Sequence, residues 1–173
     1  MYQLRELERG DLPVITKWRN SPELIEQLGA PFRYINPEVD QRWFENYMAN
    51  RNSCVRCAIV ENNKPEEILG LVSLTNIDPL NQVAMLHIMI GNPDVQGKGM
   101  GSFAVRSMVE HAFFNLNLHR IELVVLCSNQ RAQHVYEKCG FVREGILRKA
   151  IYKTGAFVDA YQYGLLKEEY LSK

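Results

Sequence analysis

The segment that most constrains the fold runs from Val95 to Gly101 and reads Val-Gln-Gly-Lys-Gly-Met-Gly. Its glycines stand at alternate positions, 97, 99 and 101, where the backbone can adopt angles that other residues avoid. An apolar segment typical of a strand precedes it, and a helical pattern follows from Ser102. We therefore expect a strand-to-helix turn whose free N–H groups and positive helix end can bind an anion such as pyrophosphate.

The spacing of these glycines does not match the motifs of two well-known phosphate-binding loops. A Walker loop needs Gly-Lys followed by Ser or Thr, whereas Lys98 is followed by glycine. A Rossmann loop needs G-x-G-x-x-G, whereas this chain has G-x-G-x-G. The alternative to an anion site is a plain glycine-rich turn without a ligand.

Hydrophobic periodicity predicts a mixed sheet covered by helices. The expected strands are 2–7, 54–61, 68–77, 82–90, 120–126, 142–152 and 157–166, with a turn at 62–65; helices are expected from 11, from 22, and over 37–50, 102–115 and 130–139. Strands 82–90 and 120–126 should be parallel and splay apart, because a helix joins them. The predicted fold class is α/β (α+β), with one domain over 1–173, a mostly antiparallel sheet and a central splayed parallel pair. In helix 37–50, Val39, Trp43 and Tyr47 are expected to form the apolar face.

Composition and charge exclude several classes of protein. Of the 173 residues 46% are apolar, and 20 basic residues balance 20 acidic ones, which disfavours a disordered chain and a nucleic-acid binder. No apolar run approaches the roughly 20 residues that cross a bilayer, and residues 1–6 lack a signal-peptide core. Cys54 and Cys57 form a lone C-x-x-C within a strand pattern, without further paired ligands. We therefore expect reduced thiols, no metal site and a cytoplasmic protein without membrane or nucleic-acid partners.

Two motifs together resemble a known family. Gln96, Gly99 and Gly101 form Gln-x-x-Gly-x-Gly, which resembles the acetyl-CoA pyrophosphate loop of the GNAT N-acetyltransferases. Residues 129–141 resemble that family's second motif, N-x-x-A-x-x-x-Y-E-K-x-G-F, and the two motifs have the expected order and spacing. The chain is most similar to the branch of ribosomal-protein N-terminal, spermidine and aminosugar acetyltransferases.

The resemblance implies direct transfer of an acetyl group from acetyl-CoA to a primary amine. It places the pyrophosphate on the turn, which comprises Gln96, Gly97, Lys98, Gly99, Met100, Gly101 and Ser102. It implies that a main-chain N–H around Met89 and Ile90 stabilises the negative charge that develops on the thioester oxygen. It also implies that the Asn129 side chain supports the pantetheine arm.

The resemblance makes Tyr136 the acid that protonates the leaving thiolate, because a phenol keeps its proton at neutral pH. A half-buried tyrosine without this role is the alternative. Many relatives carry a strand glutamate as the base where this chain has Met85. His87, two residues on, could relay the proton, but a histidine packed on the sheet, Glu122 or an ordered water stay open.

The acceptor is expected to contact the N-terminal helices and the loop that follows them. Arg19 could meet a phosphate of a nucleotide sugar or form a salt bridge at its helix end. Phe32 and Tyr34 could stack on a base or sugar from a lid.

The missing strand carboxylate favours an acceptor amine of low pKa. At pH 7 the neutral form costs about 1.4 kcal/mol for an α-amine and about 4.6 kcal/mol for a lysine-like amine. We therefore expect an aminosugar or a protein N-terminal α-amine. A polyamine such as spermidine and a sensor that binds CoA without catalysis are the alternatives. The C-terminal hairpin could also pair two copies into a homodimer.

Overall fold

A seven-stranded mixed sheet organises the chain. The computed structural model describes residues 1–91, 95 and 97–172, and its strands lie in the order β1-β2-β3-β4-β5-β7-β6. The strands are β1 (Tyr2–Glu6), β2 (Val55–Glu61), β3 (Lys64–Asp78), β4 (Val83–Ile90), β5 (Arg120–Leu126), β6 (Val142–Lys153) and β7 (Ala156–Leu166). The helices are α1 (Leu12–Arg19), α2 (Pro22–Glu26), α3 (Pro37–Ala49), α4 (Met100–Glu110), α5 (Gln130–Lys138) and α6 (Lys167–Leu171). Within the described residues, no helix has both the length and the apolar character that crossing a membrane requires.

The predicted fold class is confirmed, with corrections at the ends of several elements. Strand β3 begins at Lys64, inside the predicted turn, so the turn is tighter than its sequence indicated. Helix α4 begins at Met100 rather than Ser102, because Gly99, with a φ of 82°, ends the loop directly before it. After Glu110 the helix widens into a π turn over His111–Asn115. Helix α6 was not predicted.

Strands β4 and β5 pair in parallel only where they begin. Residues 83–85 of β4 pair with residues 120–122 of β5. No pairing of the two strands follows beyond Met85 and Glu122 in the described chain, so their facing edges diverge. The predicted splayed pair is confirmed, and the resulting gap leaves backbone groups of both strands available to a ligand.

Helices cover both faces of the sheet. One face packs against α4 and α5, and its core includes Met100, Val105, Met108, Phe113, Ile121 and Leu123. The opposite face packs against α1 and α3, and its smaller core includes Leu12, Ile15, Trp18, Phe44, Tyr47 and Ala58. The gap between β4 and β5 therefore opens toward two different helical layers.

A buried carboxylate joins α1 to α3. The prediction that Val39 faces the core was wrong, since its side chain is 45% exposed, whereas Asp40 is 0% exposed. Asp40 accepts a hydrogen bond from Thr16 Oγ1 at 2.5 Å and pairs with Arg19. A carboxylate can be buried here because both α1 partners compensate its lost hydration, so α3 is rotated to bring Asp40 inside.

We expect Asp40→Ala to lower the free energy of unfolding by about 2–4 kcal/mol, because it removes the partner of a partly buried cation. Urea unfolding monitored by fluorescence measures the loss. Glu45→Ala removes a carboxylate from the exposed Arg9–Glu45 pair and should leave stability nearly unchanged. Equal losses in the two variants would contradict the role given to Asp40.

Candidate active site

A cavity of about 830 Å³ occupies the gap between β4 and β5. The loop before α4, the start of α4 and helix α5 line it from one face of the sheet. Helix α2, the loop after it and side chains of β2 and β3 line it from the other face. Two ligands can therefore reach the gap from opposite sides and meet within it.

The predicted anion-binding turn has the backbone geometry that such a site requires. Gly97 and Gly99 both have a φ of 82°, in the left-handed region that favours glycine. The first hydrogen bond inside α4 runs from Phe103 N to Gly99 O at 3.0 Å. The N–H groups of residues 100–102 therefore have no acceptor within the helix, and Met100, Gly101 and Ser102 line the cavity.

Two cations lie at this turn. Lys98 belongs to the turn itself and is exposed. Arg131 lies in the cavity wall, with Nη2 3.7 Å from where a Cβ on Gly97 would stand. Arg131 was not among the site residues predicted from the sequence, because only the packing of α5 against the loop reveals its position. Gln96, predicted for the same site, lies outside the described residues.

The hydrogen bonds along β4 distinguish Met89 from Ile90. Gly91 N donates to Leu69 O on β3 at 3.0 Å. Because backbone groups alternate in direction along a strand, the N–H of Met89 also faces β3, whereas those of Ile88 and Ile90 face the gap. Of the two predicted donors to the thioester oxygen, Ile90 has the suitable direction and Met89 does not.

Tyr136 lies on α5 with its side chain 6% exposed and forms part of the cavity wall. Its ring packs against Phe141 and Tyr163, with centroids 6.0 and 6.4 Å away. Burial, with a smaller effect from Cys139, raises the pKa of the Tyr136 phenol above its ordinary value of 10. A phenol that keeps its proton in this position can serve as a donor and not as a base.

His87 belongs to a row of three polar side chains that crosses the sheet. Arg56 on β2 pairs with Ser73 on β3, and Ser73 pairs with His87 on β4, so the three share one face. All three line the cavity, and His87 Nε2 lies 2.9 Å from Thr75 Oγ1. Desolvation and then the charge of Arg56 lower the pKa of His87 below its ordinary 6.5. The imidazole is therefore neutral at pH 7 and can accept a proton.

Arg56 was not among the residues predicted from the sequence. It stands at the same inward-facing parity of β2 as Cys54 and Ala58, which are buried. Its Cζ lies 4.7 Å from the centroid of the Trp43 ring, and its Nε is buried without a hydrogen-bond partner among the described residues. A lone arginine at a core-facing position of an apolar strand was the sequence signal that could have revealed it.

The three residues predicted to bind the acceptor do not line the cavity. Arg19 forms a salt bridge with Asp40, as the alternative to phosphate binding predicted. The salt bridge joins α1 to α3. Phe32 and Tyr34 stack edge to face at 5.2 Å, and Tyr34 is 92% exposed. Contact of these residues with an acceptor stays a prediction.

Asn129 uses its side chain within the protein. Its Oδ1 accepts from Ala132 N at 3.0 Å, which caps α5, and its Nδ2 donates to Gln27 O at 2.9 Å beside α2. Its predicted support of a pantetheine arm stays a prediction. Glu122, one of the alternative bases, lies 3.4 Å from Arg120 and is absent from the described cavity wall.

Comparison with known proteins identifies the family. A family model described as an acetyltransferase (GNAT) domain matches residues 2–142. The chain belongs to the GNAT acetyltransferase family. This GNAT enzyme is an N-acetyltransferase that uses acetyl-CoA and transfers the acetyl group to an amine. The branch predicted from the two sequence motifs is also confirmed by named relatives.

The spermidine N(1)-acetyltransferase of Vibrio cholerae is 32% identical over 171 residues, which cover 98% of this chain and 95% of the relative. A putative ribosomal N-acetyltransferase of Bacillus subtilis is 33% identical over 103 residues, or 60% of this chain and 56% of the relative. The crystal structure of the Vibrio cholerae spermidine N-acetyltransferase in complex with CoA and spermine matches with a TM-score of 0.91 at 30% identity, over 98% of both chains.

We expect Gly99→Ala to raise the Kd for CoA about 5- to 30-fold, because a Cβ disfavours the left-handed backbone by about 1–2 kcal/mol. Gly155→Ala is the matched control, since Gly155 has a φ of 88° and equally open surroundings in the β6–β7 turn. Calorimetry should show normal CoA binding for that variant. Wild-type affinity in Gly99→Ala would contradict an anion site at this turn.

Proposed function

We propose that this GNAT enzyme acetylates a primary amine of low pKa, either a small molecule such as an aminosugar or a protein N-terminal α-amine. The observation that carries the proposal is one cavity that reaches the gap from both faces of the sheet. Acetyl-CoA would enter from the face of α4 and α5, and the amine from the face of α2. The thioester and the amine would then meet at the end of β4.

The turn before α4 would hold the pyrophosphate of acetyl-CoA. The N–H groups of residues 100–102, which have no acceptor within α4, and the positive end of the helix attract an anion. Lys98 within the turn and Arg131 beside it would add positive charge. The pantetheine arm would lie along the unpaired edges of β4 and β5, where the N–H of Ile90 can donate to the thioester oxygen.

Acetyl transfer requires two proton movements. The neutral amine attacks the thioester carbon, a C–N bond forms, and the C–S bond breaks to release a thiolate. Tyr136 would give its proton to that thiolate, and His87, directly or through water, would accept the proton that the new amide nitrogen loses. Met85 supplies no carboxylate. Of the two histidines in the described cavity wall, His134 lies on α5, on the side assigned to acetyl-CoA, whereas His87 lies on the acceptor side, so His87 is assigned as the base.

A polyamine acceptor is the second candidate, and the similarity to spermidine acetyltransferases favours it. A bound polyamine brings several ammonium groups, whose lost hydration carboxylates normally compensate. Among the described residues of the cavity wall there is no Asp or Glu; the ionisable groups, apart from Tyr136, are Arg56, His87, Arg131, His134 and Lys138. The cavity chemistry therefore favours an acceptor without several positive charges.

Homodimer formation and a cytoplasmic location are further proposals. The hairpin of β6 and β7 exposes apolar side chains that a second copy could cover: Val142, Ile146, Tyr152 and Phe157. All four cysteines are free thiols, as is usual in a reducing compartment.

We expect Tyr136→Phe to lower kcat by about 10²-fold or more, because a positioned acid contributes roughly 10²–10⁴ in rate. Thiol release from acetyl-CoA is measured with glucosamine, glycylglycine and spermidine as acceptors, and acetyl-CoA affinity should stay the same. Tyr163→Phe is the matched control, since its phenol donates to Glu137 at 2.8 Å outside the cavity wall. Full activity of Tyr136→Phe would remove Tyr136 from the reaction, and no turnover of any amine by wild type would contradict the proposed function.

We expect the activity of the wild type to fall as the pH drops below the pKa of His87, which lies below 6.5, because protonated imidazole cannot accept a proton. His87→Gln should lower kcat/KM at pH 7 by about 100-fold and remove this acidic limb. The lowered pKa of His87 also makes the free energy of unfolding depend on pH. The contribution of His87 to stability is complete above about pH 6.5, and it declines as the pH falls toward the pKa of the folded state.

His111→Gln is the control for the pH profile, since His111 lies 3.2 Å from Asn115 outside this cavity. It should retain both the activity and the acidic limb of the wild type. An unchanged profile in His87→Gln would show instead that His87 packs on the sheet and that water accepts the proton.

A further inference from the structure

Arg56 is a partly buried cation whose charge no described carboxylate balances. Its Cζ lies 4.7 Å from the Trp43 centroid and 6.0 Å from that of Tyr47. The Cys54 thiol, a weak acceptor, is its neighbouring polar group. No salt bridge joins Arg56 to any Asp or Glu of the described chain, and its Nε has no hydrogen-bond partner there.

A comparison with Arg19 shows that Arg56, unlike Arg19, does not form a structural salt bridge among the described residues. Both arginines lie beside the ring of Trp43. Arg19 is neutralised by Asp40, whereas Arg56 extends to the cavity wall without such a partner. A partly buried guanidinium without a carboxylate partner or a hydrogen bond at its buried Nε costs free energy, and a bound anion would offset that cost.

Arg56 also lies in the same row of side chains as His87, the proposed base. It is in register, through Ser73, with His87 two strands away, and all three side chains lie on the acceptor side of the gap. Adjacent strands are about 4.8 Å apart, so the backbones of Arg56 and His87 are separated by about 10 Å. A small molecule can span this distance, with one end at the guanidinium and its amine near His87.

We propose that Arg56 selects an acceptor amine that carries an anionic group, either a carboxylate or a phosphate. The inference rests on the proposed function and specifies its substrate class. The planar guanidinium, with donors at Nε and both Nη atoms, can bind either anion in a bidentate manner. The absence of Asp and Glu from the described cavity wall is consistent with this choice.

The test compares acceptors that differ in one charge. Glycylglycine is paired with glycylglycinamide for the carboxylate, glucosamine 6-phosphate is paired with glucosamine for the phosphate, and spermidine represents a polycation. We expect wild-type kcat/KM to favour the anionic member of one pair by about 10- to 100-fold, since a charged hydrogen bond is lost in the neutral member. The favoured pair identifies the anion.

Arg56→Met should abolish this preference, because it should lower kcat/KM for the anionic acceptor far more than for its neutral partner. Arg56→Lys keeps the charge and should retain part of the preference, which separates recognition from folding. Arg143→Met is the matched control, because Arg143 lies 4.6 Å from the centroid of the Tyr161 ring but outside the cavity wall.

Each outcome decides the inference. A preference for spermidine or for the neutral acceptors, or an anionic preference that survives in Arg56→Met, would overturn it. If acetyl-CoA binds but no amine is acetylated, the proposed function fails, and calorimetry on the CoA-loaded protein still tests Arg56. Binding of glycylglycine or glucosamine 6-phosphate that Arg56→Met loses would support the inference, and the absence of such binding would overturn it.

Discussion

The divergence of β4 from β5 is the constraint on which the rest of the structure depends. Parallel pairing stops after residues 83–85 of β4, so the backbone groups farther along both facing edges have no strand partner among the residues that the structure describes. Polar backbone groups inside a protein need hydrogen bonds, and an extended ligand with amide groups can provide them. The same divergence opens a passage between two helical layers, and each layer brings different side chains to it.

The two layers give the cavity an uneven chemistry. On the side of α4 and α5, Arg131 and the N–H groups that have no acceptor within α4 suit an anionic carrier, and burial keeps Tyr136 protonated. On the other side, desolvation and then the charge of Arg56 lower the pKa of His87, so its imidazole is neutral at pH 7. Arg56 thus influences the base, and in the proposed complex it would also select the charge of the acceptor.

A similar fold does not imply that two enzymes acetylate the same acceptor amine. The spermidine acetyltransferase of Vibrio cholerae superposes over 98% of both chains, yet the described wall of this cavity contains no carboxylate to bind a polyamine. Folds conserve the path of the main chain and the carrier site, whereas specificity depends on a few side chains at the acceptor end. The family relation therefore supports acetyl transfer more strongly than it supports any one amine.

The sequence by itself determined the features that depend on local backbone conformation and short spacing. The alternate glycines predicted the turn before α4, and the motif at 129–141 predicted α5 with Tyr136 in it, because left-handed angles and helical periodicity are local properties. Only the tertiary structure decided which polar groups meet. Arg56 and His87 are 31 positions apart and share a face through strand register, whereas Asp40 is buried because α1 supplies its partners. Such contacts depend on packing between distant segments, whose energies no local pattern encodes.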